Sequence, residues 1–300
     1  MKILLTGSSG VIGKELEKLL SDHEVLMIDK VVSDHTLHSP NHHFVQCRIG
    51  EQSCPEIGKF DPEVIFHLAA SFERTKESAD FYEQNWIDNM ECFHYVASHT
   101  RPKIFVFASS YLVYDIEAID PEEFKYMGLP ETCPINPRNM CGIYKLYAEK
   151  ELEFIQKNIN TKMNIINARI FRSYGKGSRD IVSRWIRSAI KKEPINIYNI
   201  ANSFDYVYAG DVAKALYLLS HTNKSATVNI GTGNRTSIRT VSSIICNKFN
   251  IPYPETTAIK SDIEDTVAVV EKLKNLVNWI PDTTIEQGID KIIEYERSLR

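Results

Sequence analysis

Cys141 and Lys145 stand four residues apart in "NMCGIYKLYAE", residues 139 to 149. The stretch reads as the start of an amphipathic helix, which would set the two side chains one turn apart on one face. A thiol beside an ammonium can be thiolate at neutral pH, starting from a reference pKa near ~8.5, so the pair is able to hold and release a proton. A second chemical set lies at the other end of the chain. In "LLTGSSGVIGKEL" the glycines fall at Gly7, Gly10 and Gly13, between an apolar run and a helical one. Such glycines allow a tight turn, backbone approach to a pyrophosphate, and close packing of helix on strand, with Val11 and Ile12 opening the helix whose N-terminus faces the phosphates. Asp29 closes the next apolar run sixteen residues after Gly13. A carboxylate there accepts both ribose hydroxyls and repels a 2′-phosphate, which favours NAD over NADP, with the adjacent Lys30 pulling the other way.

These residues require strands and helices in alternation to hold them. "KILLTG", "EVLMID", "HFVQCRI", "VIFHLAA", "KIFVFASS" and "MNIINARIF" are apolar runs of strand length, and helical stretches fall around residues 79 to 98 and 141 to 157. The pattern predicts an α/β fold, a Rossmann-type doubly wound parallel sheet covered on both faces, with right-handed crossovers. After about residue 171 the elements shorten: "SRDIVSRWIRSAIKK" as a helix, "PINIYN" as a strand, "DVAKALYLLS" as a helix, then "ATVNIG". The expected domains are residues 1 to 170 for the dinucleotide, with a return segment near 205 to 231, and a smaller substrate-binding region from 171 to 300. The two are expected to share one cleft. Thr236 or Ser237 is a plausible helix cap, and Thr283 with Glu286 is a candidate capping box for the last helix.

Bulk composition narrows the function classes. Three hundred residues, 43% hydrophobic and 25% charged, suffice for a full core. A net charge of −4 without long runs of one sign argues against a nucleic-acid partner. No apolar stretch approaches the roughly 18 residues of a membrane span, and "MKILLTGSSG" turns glycine-rich too early for a secretory signal, so a cytoplasmic protein is expected. Six cysteines without a CxxC suggest reduced thiols. His35, His38, His42 and His43 lack a ligand pattern beside them and are expected in a solvated loop, with no metal.

The motifs together resemble the extended short-chain dehydrogenase/reductases, in particular the NAD-dependent nucleotide-sugar epimerases and dehydratases. The likeness runs nearly end to end. "TGSSGVIG" matches the TGxxGxxG of that family, "VIFHLAA" its fourth-strand motif, and "ASSYLVY" is similar to its SSxxVYG segment. "PETCPINPRNMCGIYKLYAE" follows its ExxPxxPxxxYGxSKxxxE run, and "RIFRSYG", "FDYVYAGDVAKA", "NIGTG" and "NWIPDTTIEQGI" resemble later landmarks in order. The resemblance implies NAD as cofactor, contacted also by Leu68, Ala69, Ala70 and Asn85, and held at its ribose by Lys145. It implies a catalytic serine at Ser110, a nucleotide-linked sugar as substrate with Ser71 and Ser110 beside it, and a homodimer formed by the helices at 79 to 98 and 141 to 157.

The sequence also departs from that pattern. Cys141 stands where the family has its catalytic tyrosine, so the usual proton acceptor is missing. The thiol sulfur lies closer to the backbone than a phenol oxygen would, and a bridging water or a shifted sugar would be needed. Tyr144 and Tyr111 are alternative sources of a hydroxyl, and the acceptor stays open among Cys141, Tyr144 and Tyr111. Tyr111 and Leu112 replace the carboxylate pair of family dehydratases, which weighs against elimination of water. Phe204 and Ile259 occupy positions where relatives often place diphosphate-binding arginines. Arg172, Lys176, Arg179 and Lys260 are candidate replacements. The leading expectation is an NAD-dependent epimerase or oxidoreductase acting on a nucleotide-linked sugar. The alternatives are a cofactor-binding protein without turnover, serving as a sensor or assembly partner, and a 5-inverting dehydratase.

Overall fold

Strand β1 (Lys2–Thr6) buries every residue after Lys2, which is what a strand covered on both faces requires. The computed structural model describes residues 1–32, 39–71, 79–116, 118, 128–200, 202–253 and 264–299, and at 79–81 the backbone alone. After β1 come α1 (Val11–Leu19), β2 (Glu24–Asp29), β3 (His42–Gln46), α2 (Pro55–Phe60) and β4 (Val64–His67). Helix α3 (Ala79–Trp86) runs through a π turn (Ile87–Glu91) into α4 (Cys92–His99). β5 (Ile104–Ser110) ends in a 3₁₀ turn (Tyr111–Val113), and α5 (Met140–Asn158) leads to β6 (Asn164–Ile170). Beyond these lie β7 (Arg172–Tyr174), α6 (Ile181–Lys191), β8 (Ser203–Phe204), β9 (Tyr206–Tyr208), α7 (Ala209–Leu219) and β10 (Ala226–Ile230). The chain closes with β11 (Thr236–Ser237), α8 (Ile238–Phe249), β12 (Asp265–Thr266), α9 (Glu271–Val277) and α10 (Ile285–Ser298).

Seven strands form the main sheet in the order β10-β6-β5-β4-β1-β2-β3. β1 pairs in parallel with both β2 and β4. Chain order therefore reverses at β1, and in sheets of this kind ligands bind at that switch point, beyond the carboxyl ends of the strands. The chain divides into two compact units, one of Met1–Ile119, Cys133–Arg169 and Leu216–Val228, the other of Asp120–Thr132, Ile170–Ala215 and Asn229–Arg300. One side of the first unit's core is built from Leu4, Leu26, Ile65, Phe93, Phe105, Phe107 and Leu152.

In the second unit, Trp185, Ile186, Val241, Ile245, Ile289 and Ile292 form the apolar centre. Buried Asp205 organises its loops. Its carboxylate accepts from the Thr232 amide and hydroxyl at 2.8 Å each, from the Gly233 amide at 2.9 Å and from the Ala268 amide at 3.1 Å.

Three local expectations are corrected. "PINIYN" buries Ile195 and Ile197 in alternation but carries only a single bridge, at Tyr198. Pro194 has no amide to donate, and Asn199 turns left-handed at φ +50, so no ladder is sustained. The last helix is capped one residue later than expected: Thr284 and Gln287 form the reciprocal box. Thr283 instead gives its amide and hydroxyl to Asp211, at 2.9 Å each. His42 is not in a solvated loop. Strand pairing with Val25 turns it inward, where its Nδ1 lies 2.6 Å from Glu17 Oε1 and its Nε2 lies 3.1 Å from the Leu20 carbonyl. His35 and His38 lie outside the described residues. Ser237, one of the two expected caps, accepts from the Thr240 amide at 3.0 Å.

Candidate active site

The glycine loop is shaped by backbone crowding. Gly7 has φ +72, and a Cβ on it would come within 2.6 Å of the Ala69 amide nitrogen and 2.7 Å of the Leu68 carbonyl carbon. A Cβ on Gly13 would overlap the Gly7 carbonyl and come within 2.8 Å of Ser8 Cα. The loop is thus pinned between the ends of neighbouring strands, with the Gly7 amide donating to Ile28 O at 2.9 Å and the Leu68 amide to Thr6 O at 3.1 Å. Gly10 caps α1 without a side-chain hydrogen bond, and the first turn, opened by Val11 and Ile12, has no acidic residue. Helix N-terminal amides left in this way, with the positive end of the helix dipole behind them, suit an anion. Buried Ser8 Oγ in the same loop has no hydrogen-bond partner among the described residues. These features fit a dinucleotide pyrophosphate.

Asp29 holds the loop from the side. Its Oδ2 accepts from the Ser9 amide at 2.9 Å and its Oδ1 from the Val31 amide at 3.0 Å. Lys30, next to Asp29, places Nζ 2.5 Å from Asp88 Oδ2, on the π turn. Asn85, buried on α3, accepts at its backbone oxygen from the Asn89 side chain at 2.8 Å. π turns inside helices are frequent at functional sites, because they re-aim the residues around them. Ala70 is exposed, while Leu68, Ala69 and Ser71 are half-buried after β4.

The candidate catalytic residues are positioned by one close contact. A Cβ on Gly142 would overlap the Leu112 carbonyl and come within 2.8 Å of Pro137 Cβ, so the first turn of α5 lies directly against the turn that follows β5. Asn139 starts that helix, accepting at its side chain from the Gly142 amide at 2.9 Å. Ser110 starts the 3₁₀ turn, its Oγ accepting from the Leu112 amide at 3.3 Å, which leaves the hydroxyl proton to donate. Ser109, one residue earlier, donates to Glu149 Oε1. Glu149 is gripped by Arg169 on β6, through Nε at 3.1 Å and a terminal nitrogen at 2.7 Å. This buried network ties β5, α5 and β6 together behind the site.

Lys145 is buried, with Nζ 4.8 Å above the Phe107 ring. Burial pulls its pKa below the ordinary lysine value, partly offset by Cys141, Cys92 and Glu149, in that order of size. Cys141, half-buried on the first turn of α5, is therefore coupled to the ammonium. Tyr144 faces inward, edge-on to Trp86, and its hydroxyl is buried with no hydrogen-bond partner among the described residues. Burial first, then Tyr82, pushes its pKa above the usual phenol value, which makes it a poorer proton acceptor. Tyr111 is buried in the 3₁₀ turn. In the second unit, the Arg172 guanidinium lies 4.0 Å over the Phe204 ring and 5.9 Å over that of Tyr206, while Arg179 is exposed before α6. Lys260 and Ile259 lie outside the described residues.

A family model, the NAD dependent epimerase/dehydratase family, matches residues 3–231. The chain belongs to that family. Among relatives of this epimerase/dehydratase, a putative UDP-glucose 4-epimerase of Methanocaldococcus jannaschii is 26% identical over 313 residues, covering 99% of this chain and 98% of the relative. The UDP-glucuronic acid decarboxylase 1 of Danio rerio is 24% identical over 315 residues, covering 98% and 72%. The fold matches that of MoeE5 in complex with UDP-glucose and NAD, at TM-score 0.86, 24% identity and 100% coverage of both chains. It also matches the UDP-glucuronic acid 4-epimerase from Bacillus cereus in complex with UDP-glucuronic acid and NAD, at TM-score 0.86, 22% identity and 100% coverage of both.

The family's cofactor, NAD, accords with the loop geometry. Sequence reasoning gave no role to several residues that shape the candidate site: Thr6 and His67, Phe107, Glu149 with Arg169, and Asp88. Their partners lie 20 to 61 positions away, beyond the reach of any spacing rule. His67 ends β4 fully buried, with Nδ1 2.9 Å from the Thr6 hydroxyl and its ring stacked at 6.1 Å on Phe107. Burial, then the charge of Lys145, lowers its pKa to about 3.

That depressed value has a thermodynamic consequence. Below its unfolded pKa of about 6.5 the unfolded chain takes up a proton that the folded chain refuses until about pH 3. Stability is therefore lost as pH falls through this window, and the His67 contribution is absent above it. In urea denaturation, the difference in stability between the wild type and His67→Gln should shrink by about 2 kcal/mol between pH 6.5 and 5, at roughly 1.4 kcal/mol per unit. Parallel pH profiles for the two proteins would show that His67 titrates normally in the folded state.

Proposed function

We propose that this chain is an NAD-dependent epimerase acting on a nucleotide-linked sugar, of the UDP-linked kind named for its relatives. The observation that carries the reading is the seating of Ser110 and Cys141 on two turns held in contact by Gly142, with Lys145 one turn behind the thiol. Residues 1 to 170, with the return near 205 to 231, are assigned to the cofactor, and 171 to 300 to the sugar nucleotide. Stacking on Phe204 occupies the face of the Arg172 guanidinium and leaves its N–H edge for a diphosphate, with Arg179 and Lys260 as further cations.

NAD, when bound, accepts and returns the hydrogen of a ring carbon. The protein's own residues manage the proton. Ser110 donates to the reacting hydroxyl. Cys141, supported as thiolate by the buried ammonium of Lys145, takes the proton through a bridging water, because its sulfur is nearer the backbone than a phenol oxygen would be. Tyr144 is the weakest of the three acceptors considered, since its environment opposes ionisation. Tyr111 serves as packing in the turn that carries Ser110. Lys145 supplies charge and holds the nicotinamide ribose.

We further propose a cytoplasmic homodimer. None of the six cysteines is in a disulfide, which is compatible with a reducing compartment. Tyr82 and Trp86 on α3, with Ile143, Tyr147 and Phe154 on α5, are large apolar side chains left exposed at helical spacing. Exposed apolar stripes of this kind mark association surfaces.

Incubation of the protein with NAD and UDP-glucose, UDP-glucuronic acid or UDP-N-acetylglucosamine, followed by product NMR, should reveal an epimer of one of them. Cys141→Ala should lower kcat by about 10²- to 10⁴-fold with NAD affinity retained. A Cys141→Ala rate equal to wild type would remove the thiol from the mechanism, and NAD binding with no product from any sugar would favour a protein without turnover. Light scattering after size exclusion should give the mass of two chains, falling to one in a Tyr147→Asp, Phe154→Asp double variant. A monomeric wild type would contradict the dimer.

A further inference from the structure

A cavity of about 680 Å³ opens beside the glycine loop, lined by Lys30, Val31, Gln46, Arg48, Glu51 and Gln84 among others. It lies past the carboxyl ends of β2 and β3, next to Asp29. Since Asp29 is bonded directly to the loop through the Ser9 amide at 2.9 Å, a dinucleotide with its pyrophosphate on α1 directs its adenosine end here. Two cations face this cavity, and both are bound by one carboxylate. Lys30 Nζ lies 2.5 Å from Asp88 Oδ2, and Arg48 Nε lies 3.0 Å from Asp88 Oδ1. A terminal nitrogen of Arg48 reaches Glu51 at 2.8 Å.

Asp88 itself is buried, on the π turn between α3 and α4. A regular helix would rotate it relative to Asn85. The extra residue of the π turn brings its carboxylate to Lys30, on the far side of the sheet edge, and to Arg48 after β3.

We infer that Asp88 sets the cofactor preference by neutralising Lys30 and Arg48. A lysine and an arginine at the adenosine ribose are the groups that would receive a 2′-phosphate. With both engaged by Asp88, and with Asp29 and Glu51 adding further negative charge, the pocket has two cations against three carboxylates. A dianionic phosphate is repelled, while the uncharged hydroxyls of NAD are not. Asp88 does not line the cavity but pairs with two cations that do, so it is a positioning residue that acts through them. This rests on NAD as the cofactor.

The test measures binding and needs no turnover. NAD and NADP affinities are determined by calorimetry for the wild type, Asp88→Asn, Asp88→Ser, and the Asp88→Asn, Lys30→Met double variant. Removing the carboxylate should raise the affinity for NADP relative to NAD by about tenfold, and the gain should shrink in the double variant, where Arg48 alone is released, and with added salt. Asp88→Ser guards against a folding defect specific to the amide. An unchanged NADP to NAD ratio in the folded single variants, or a gain undiminished without Lys30, would overturn the inference. Wild-type protein that binds neither dinucleotide would instead overturn the cofactor assignment on which it rests.

Discussion

The structure depends on a backbone contact too close for a side chain. Gly7 touches the chain at Leu68–Ala69, and Gly13 touches Gly7 and Ser8, so the first strand, its loop and the first helix can meet only with hydrogen at those positions. The consequence is electrostatic. With Gly10 as cap and no acid in its first turn, α1 presents its amides and the positive end of its dipole without an internal partner. Asp29 then fixes the loop through the Ser9 amide and its own turn through the Val31 amide, and the end of the sheet becomes a candidate anion site with an acidic neighbour.

Behind that site a second constraint governs chemistry. The ammonium of Lys145 is removed from water onto the face of Phe107, while His67 on the same aromatic cluster is forced to stay neutral. A desolvated charge is expensive unless something nearby supports it, and Cys141, Cys92 and Glu149 do so. In the mechanism proposed above, a thiol in place of a phenol at position 141 changes reach more than charge. The Glu149–Arg169 pair and the Ser109 hydroxyl tie β5, α5 and β6 together behind Cys141 and Lys145.

Much of this was legible in the sequence, for identifiable reasons. Buried parallel strands are continuous apolar runs, and six of the seven in the main sheet fell where those runs predicted them before residue 171, with the seventh at "ATVNIG". The glycine loop and Asp29 were readable because their function depends on local spacing. Errors arose where a tertiary partner decided the outcome. His42 looked solvated in a polar stretch until strand pairing turned it onto Glu17. Thr283 looked like a cap but is held by Asp211, which moves the cap to Thr284. "PINIYN" has the alternation of a strand but begins at Pro194, which has no amide to donate, and ends at Asn199 in a left-handed turn. Asp88 and Arg48 gave no signal, because a π turn cannot be seen in residue spacing.

The central claim is that the first helix receives the pyrophosphate of NAD, and titration calorimetry with a Gly10→Asp variant tests it most directly. Gly10 is exposed at φ −70, a conformation open to other residues, and an aspartate there caps the helix while placing negative charge where the phosphates belong. The account predicts heat that saturates at one NAD per wild-type chain, and its loss in a variant that melts no earlier than the wild type. Undiminished NAD binding by Gly10→Asp, or a wild-type protein that neither gives heat with NAD nor releases any on denaturation, would contradict it.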